Sequence, residues 1–241
     1  MADPLHQFEI IPLIPLSVGG FDISFTNSSL WMMITVAISI VFMLIVTKKP
    51  TMVPGRAQAF AETLYEFIAG MVRDNIGSKG REYFPLIFTI FIIVLLGNML
   101  GMLPYSFTYT SHIAVTMGLA LSIFLFVTIL GFIKHGFHFF SLFCPAGVPI
   151  LLMPLIIPIE IISYMIRPVT LSVRLFANMM AGHLMLKVFA GFSVAMGVGL
   201  GLLPMFFNVA LIGFEFLIAF LQAYVFTILS CIYLKDAIEL H

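Results

Sequence analysis

Arg167, Arg174, Asn178 and His183 interrupt an otherwise apolar run from about residue 146 to 203, and Glu160 lies ahead of them in the same run. A guanidinium at the centre of a bilayer costs about 2.5 to 3.5 kcal/mol even on lenient insertion scales, so a charge kept there needs a partner or a task. At 100° per residue on a helix, Glu160, Arg167, Arg174 and Asn178 share a stripe about 40° wide, bordered by Ser163 and Tyr164. His183 points about 180° away from Arg174 and must meet different surroundings. A second set, Glu215 and Gln222, recurs seven residues apart on one face of the last apolar run.

Two helices in an antiparallel hairpin pair residues whose numbers have a nearly constant sum. Arg174 with Gln222 gives 396 and His183 with Glu215 gives 398, and half of either falls within Gly197-Val-Gly199-Leu-Gly201, where composition expects a turn. His183 and Glu215 then lie about 13 Å from Arg174 toward one side of the membrane, and Glu160 about 21 Å toward the other. Imidazole titrates near neutrality and a carboxyl removed from water is drawn toward the same range, so these groups can exchange protons. Arginine cannot deprotonate in a protein and so cannot relay one. An ionisable group near each side with a permanent cation between them suits a proton path that must not run straight through. Arg167, beside Pro168, reads as a snorkelling or structural residue, and Lys187 similarly. Glu160 has the alternative of pairing with an arginine for structure alone. Asn98 and His112 are candidates to line the outer entrance, with helix-packing and loop roles as their alternatives.

The elements that must hold these residues follow from composition. Of 241 residues 61% are hydrophobic and 9% charged, and the mean hydropathy is +1.15, whereas a water-soluble globule carries about 25% charged residues. The chain is an all-α integral membrane protein, since apolar runs of about 20 residues fit helices and not barrel strands. A first span is expected at 30–47, preceded by capping side chains in Asn27-Ser28-Ser29. Phe60, Leu64, Phe67, Ile68 and Met71 then recur at three- and four-residue steps, predicting an amphipathic interfacial helix over 54–76. A helical hairpin follows at 84–133. The stretch 146–234 is long enough for four short crossings or for two long, tilted helices, and hydropathy alone does not choose.

Orientation is clearer from the basic residues. Lys48, Lys49, Arg56, Arg73, Lys79 and Arg81 all lie between the first two spans, while residues 1–28 have no Lys or Arg, so the N-terminus is expected outside and the C-terminus inside, with five membrane helices. No removable signal peptide is evident at the N-terminus. Cys144 and Cys231 have no metal-type spacing, His135 and His138 lack a nearby carboxylate or thiol, and no phosphate-binding loop pattern occurs, so neither a metal, a cofactor nor nucleotide chemistry is expected. A secondary transporter would usually show internal repeats and a haem-linked subunit needs facing axial histidines; the sequence offers neither.

Pro168-Val-Thr-Leu-Ser-Val-Arg174-Leu-Phe-Ala-Asn178-Met-Met-Ala-Gly-His183 and Leu221-Gln222-Ala-Tyr-Val-Phe-Thr-Ile-Leu resemble the subunit a family of F-type ATP synthases. Phe25-Thr-Asn-Ser-Ser, Gly101-Met-Leu-Pro-Tyr-Ser-Phe-Thr and Tyr233-Leu-Lys-Asp-Ala-Ile extend the similarity through essentially the whole chain. The resemblance implies a non-catalytic stator subunit beside a rotating c-ring, with its last two helices long, tilted and antiparallel. It implies that Arg174 faces the ring carboxylate with Gln222 and Asn178 near it. His183, Glu215, His112 and Asn98 would form an outer half-channel, and Glu160, Ser163 and Tyr164 an inner one. Some family members carry an acid where this chain has His183 and a histidine where it has Glu215; here the pair is kept in exchanged order. The implied partners are c-ring subunits, the peripheral stalk subunit b, other synthase subunits and the lipid bilayer, with no nucleic acid. The implied location is a bacterial inner membrane, with the mitochondrial inner membrane as the alternative.

Overall fold

The computed structural model describes residues 8–15, 17–18, 21–22, 24–48, 53–103, 106–143 and 152–239, the side chains of Ser17, Val18, Phe21, Asp22 and Val198 excepted. Lys49, Pro104, Tyr105, Cys144 and the start of the last apolar stretch lie outside them. Five helical segments are long and apolar enough to cross a membrane, at Asn27–Thr47, Arg56–Gly101, Ile113–Phe143, Met153–Ala195 and Leu202–Ile238. Ahead of them two short ladders nest one inside the other: β1 (Pro12–Ile14) pairs antiparallel with β4 (Phe25–Thr26), and β2 (Ser17–Val18) with β3 (Phe21–Asp22).

The first helix, α1 (Asn27–Thr47), is capped by Thr26, whose hydroxyl accepts from the Ser29 amide. This corrects the expectation that Asn27-Ser28-Ser29 supplies the cap. The Asn27 side chain instead reaches back, accepting from the Ile11 amide and donating to the Glu9 carbonyl, which ties the ladders to the helix. The buried residues of α1 are Ser28, Thr35 and Ser39, while Met33, Leu44 and Ile45 are exposed. The helix turns hydroxyls inward and hydrocarbon outward, the reverse of a helix in water, because its solvent is lipid.

Amphipathic α2 (Arg56–Ile76) buries Ala61, Leu64, Ile68, Met71, Val72 and Ile76, one residue per turn or closer on a single face. That face packs on α3 (Phe84–Gly101) and on α7 (Leu202–Ile238), the last helix, in one core cluster with Phe91, Phe226 and Leu234. Phe67 lies against Phe91, Phe220 and Tyr224 at centroid separations of 5.7 to 6.2 Å, whereas Phe60 at the start of the helix is 56% exposed. A 3-10 segment, Gly77–Tyr83, links α2 to α3. Helix α4 (Ile113–His135) completes the hairpin, and the following 3-10 segment folds Phe139 back onto Gly131 and Phe132.

The ambiguity of the last apolar stretch resolves into two long helices. Helix α5 (Met153–Ala195) has 43 residues and α7 has 37, about 65 and 55 Å at 1.5 Å per residue, against a hydrocarbon core about 30 Å thick. Both must therefore tilt steeply to stay within it. Between them Gly197, with φ +72°, opens a single helical turn, α6 (Gly197–Leu200). That backbone conformation is costly for residues with a Cβ, which explains why a glycine ends α5 where the sequence expects the reversal.

Candidate functional site

The stripe on α5 lies along the border between its covered and uncovered sides. Leu171, Leu175 and Met179 are fully buried on one side of it, and Thr170, Val173 and Ala177 are exposed on the other. Arg174 falls on the exposed side, and among the described residues it makes no hydrogen bond or ion pair. One turn further on, Asn178 leans inward and donates from Nδ2 to Oε1 of Gln222 at 2.7 Å. Gln222 thus bonds to Asn178, one turn along α5 from the Arg174 it was expected to face: the two amides close on each other across the hairpin, and Arg174 lies on the exposed side. Gln222 is 3% exposed, and its Nε2 has no partner.

His183 occupies the opposite side of α5, as its angle requires. Its Nε2 lies 2.9 Å from the Thr108 hydroxyl, and its Nδ1 lies 3.8 Å from Oε1 of Glu215. Thr108 also donates to the Gly101 carbonyl, at 2.8 Å, so with both hydroxyl lone pairs open it meets His183 as an acceptor of an imidazole N–H. Glu215 is 3% exposed and neither of its carboxylate oxygens has a hydrogen-bond partner. Gly182 explains how so large an acid fits there: a Cβ on residue 182 would run into the Glu215 carboxyl, so only the bare backbone of glycine leaves it room.

Asn98, fully buried on α3, donates to the Ala219 carbonyl at 3.4 Å, one turn from Glu215 on α7, and its Oδ1 is unpartnered. His112 caps the start of α4 and stacks on Phe107 at 5.1 Å; its Nε2 is buried without a partner, and burial pushes its pKa below the ordinary imidazole value. Buried polar groups are almost always hydrogen-bonded to protein or to water. Orphaned atoms on Asn98, Thr110, His112, Glu215 and Gln222 therefore mark where water belongs in this half of the bundle.

The other half is drier. Between the Asn178–Gln222 bond and Tyr164 stand Leu171, Leu175, Ala223 and Phe226, each at most 1% exposed. Ser172 bonds to Thr116 at 3.1 Å, and Thr227 and Ser230 to carbonyls of their own helix, which leaves those hydroxyls satisfied. The structure separates the residues expected to cluster beyond this layer. Tyr164 is buried, bonded to Thr128 at 2.7 Å and ringed by Phe124, Phe139 and Phe143; Ser163 is exposed, and Glu160 is half-buried with no hydrogen-bonding or ion-pairing partner among the described residues. Arg167 bonds to Asp236 at 2.8 Å between the rings of Tyr164 and Tyr233.

Sequence reasoning singled out neither Thr108 nor Asp236. A hydroxyl in a loop carries no periodic signal. Asp236, beside the basic Lys235 at the end of the last helix, looks like ordinary interfacial polarity.

The sequence is similar to those of known proteins. The sequence pattern of the family described as "ATP synthase A chain" matches residues 29–235. A protein of Rhodospirillum rubrum named ATP synthase subunit a is 58% identical over 241 residues, covering all of both chains. Proteins of the same name from Parvibaculum lavamentivorans and Mesorhizobium japonicum are 56% and 52% identical, each over 98% of this chain and over 94% and 96% of their own. Matched by the family pattern over residues 29–235 and similar to these relatives over nearly its whole length, the chain belongs to the ATP synthase A chain family.

Proposed function

We propose that the chain is the proton-conducting stator subunit of an F-type ATP synthase, forming two offset half-channels that load and unload the carboxylates of a c-ring. The observation that carries this reading is the contrast across α5. Among the described residues a cation without a hydrogen-bonding or ion-pairing partner lies on its uncovered side, while a buried acid and a half-buried imidazole lie on its other side. An exposed, permanently charged side chain on an apolar surface calls for an anion brought by another chain. A ring carboxylate supplies one, and Arg174 holds it in the ionised form and bars a direct leak.

Protons approach from outside through the water-demanding region of His112, Asn98 and Thr108, and pass by way of His183 and Glu215 to a ring carboxylate. The hydrogen-bonded Asn178 and Gln222 border the place of transfer. Once neutral, that carboxyl enters lipid at far lower cost than an ion, and the ring turns. On arrival at the other side it releases its proton toward Glu160, with Ser163 nearest the exposed surface and Tyr164 shaping the wall. The driving force is about 2.3 kcal/mol per charge per 100 mV, plus the pH gradient. ATP chemistry is left to other subunits, with subunit b as a stalk partner. The location is a bacterial inner membrane with the N-terminus outside and the C-terminus inside, an orientation supported by the basic residues between the first two spans.

Reconstitution tests the reading. Vesicles holding the chain together with its ring and stalk subunits are expected to conduct protons, and vesicles holding the purified chain alone are not. Proton uptake by the isolated chain would overturn it in favour of a self-contained transporter.

A further inference from the structure

The α5 stripe carries two arginines, Arg167 and Arg174, seven residues and so about 10 Å apart and within about 20° of one direction. A ring carboxylate passing along that surface has two permanent cations within reach of its path. Among the described residues only Arg174 is free of a hydrogen-bonding or ion-pairing partner. Arg167 is held by Asp236 at 2.8 Å, its guanidinium lies 5.4 Å from the Tyr164 ring and 5.2 Å from the Tyr233 ring, and the two charged side chains are 24% and 32% exposed. Among the described residues no other carboxylate is within ion-pairing distance of Arg167. Glu160, one further heptad along the stripe, is unpaired among the described residues.

We infer that Asp236 acts as an electrostatic shield: it keeps Arg167 neutralised and turned into the hairpin, so that Arg174 is the only cation on the stripe that an ionised ring carboxylate meets. This rests on the role proposed above for Arg174. The bond also joins the far ends of α5 and α7, and a simple tether would be built the same way, so the two must be told apart by which partner is removed. A tether is lost equally from either end. A shield is needed only while Arg167 is charged.

The experiment uses the whole complex in inverted membrane vesicles and reads ATP-driven proton pumping per assembled complex. Asp236→Asn keeps the shape and one acceptor but frees a cation, and is expected to slow pumping about fivefold, in keeping with the strength of a partly exposed ion pair. Arg167→Gln, and Arg167→Gln combined with Asp236→Asn, are expected to pump at the parental rate. An Arg167→Gln variant as slow as Asp236→Asn, or a double variant no faster than Asp236→Asn alone, overturns the inference. Should Asp236→Asn fail to assemble, the other two variants decide, since either one reduced fivefold overturns it. Arg174→Gln in the same vesicles separates the two readings. If it pumps normally, the proposed function falls; if it is inactive while both ends of the pair behave alike, only the shield falls.

Discussion

The α5–α7 hairpin is built in two manners. Around His183 and Glu215 the packing leaves buried polar atoms without hydrogen-bond partners among the described residues, and Gly182 gives the acid its room. Around Leu175 and Phe226 the same two helices close completely, and their hydroxyls are satisfied internally. On the proposed function, the difference teaches that the hairpin needs its apolar half as much as its polar one. Polarity throughout would give a leak, and hydrocarbon throughout would give only an anchor. Arg174 stands beside the boundary between the two, on the outer surface, where neither half can neutralise it.

That comparison can be broken at several points. Arg174→Ala removes the counter-charge of an ionised group in the membrane, worth on the order of 3 kcal/mol, so ATP-driven pumping is expected to fall by about two orders of magnitude. Parental pumping in that variant would dissolve the boundary argument. Glu215→Gln keeps shape but ends titration, and is expected to slow pumping roughly tenfold, less than the 100-fold or more that a positioned acid-base group commonly contributes, because His183 remains beside it. Passive proton flux through the membrane sector should fall in parallel. Leu175→Ala opens the dry half. Because lipid is as apolar as leucine, only the packing part of the cost applies, and about 1 to 2 kcal/mol of stability is expected to be lost in a thermal melt of the purified complex, together with a raised passive leak. Phe60→Ala, on the exposed start of α2, is expected to change stability by less than about 0.5 kcal/mol and to leave pumping intact.

The helices were legible because lipid imposes hydrophobic length, and the place of the last reversal because glycines gather there, while hydropathy left open whether two long or four short helices fill the last stretch. The stripe was legible because helix geometry fixes angles within one element. Pairing between elements was legible only near the turn. His183 with Glu215 sums to 398, Asn178 with Gln222 to 400, and Arg167 with Asp236 to 403. A constant sum assumes straight, parallel axes, but these helices cross, α5 contains Pro158 and Pro168, and a long arginine reaches more than a turn along its neighbour. The drift hides Asp236 from a count made at the turn. Thr108 was hidden for another reason: its approach to His183 depends on how a loop from a different hairpin folds over α5.

The core formed by α2, α3 and α7 joins segments made far apart in time. The apolar side of α2 is complete once residue 76 has left the ribosome, but Phe226 and Leu234, which cover it, are synthesised some 150 residues later. At about 5 to 20 residues per second that is a delay of roughly 10 to 30 seconds. During it the hydrophobic side of α2 has only α3 and lipid to lie against, and its charged side only water. Its amphipathic pattern is thus the answer to a waiting period in biogenesis as much as to the finished packing, and a truncation before α7 would leave the newborn protein with an adhesive surface for the cell's quality control to find.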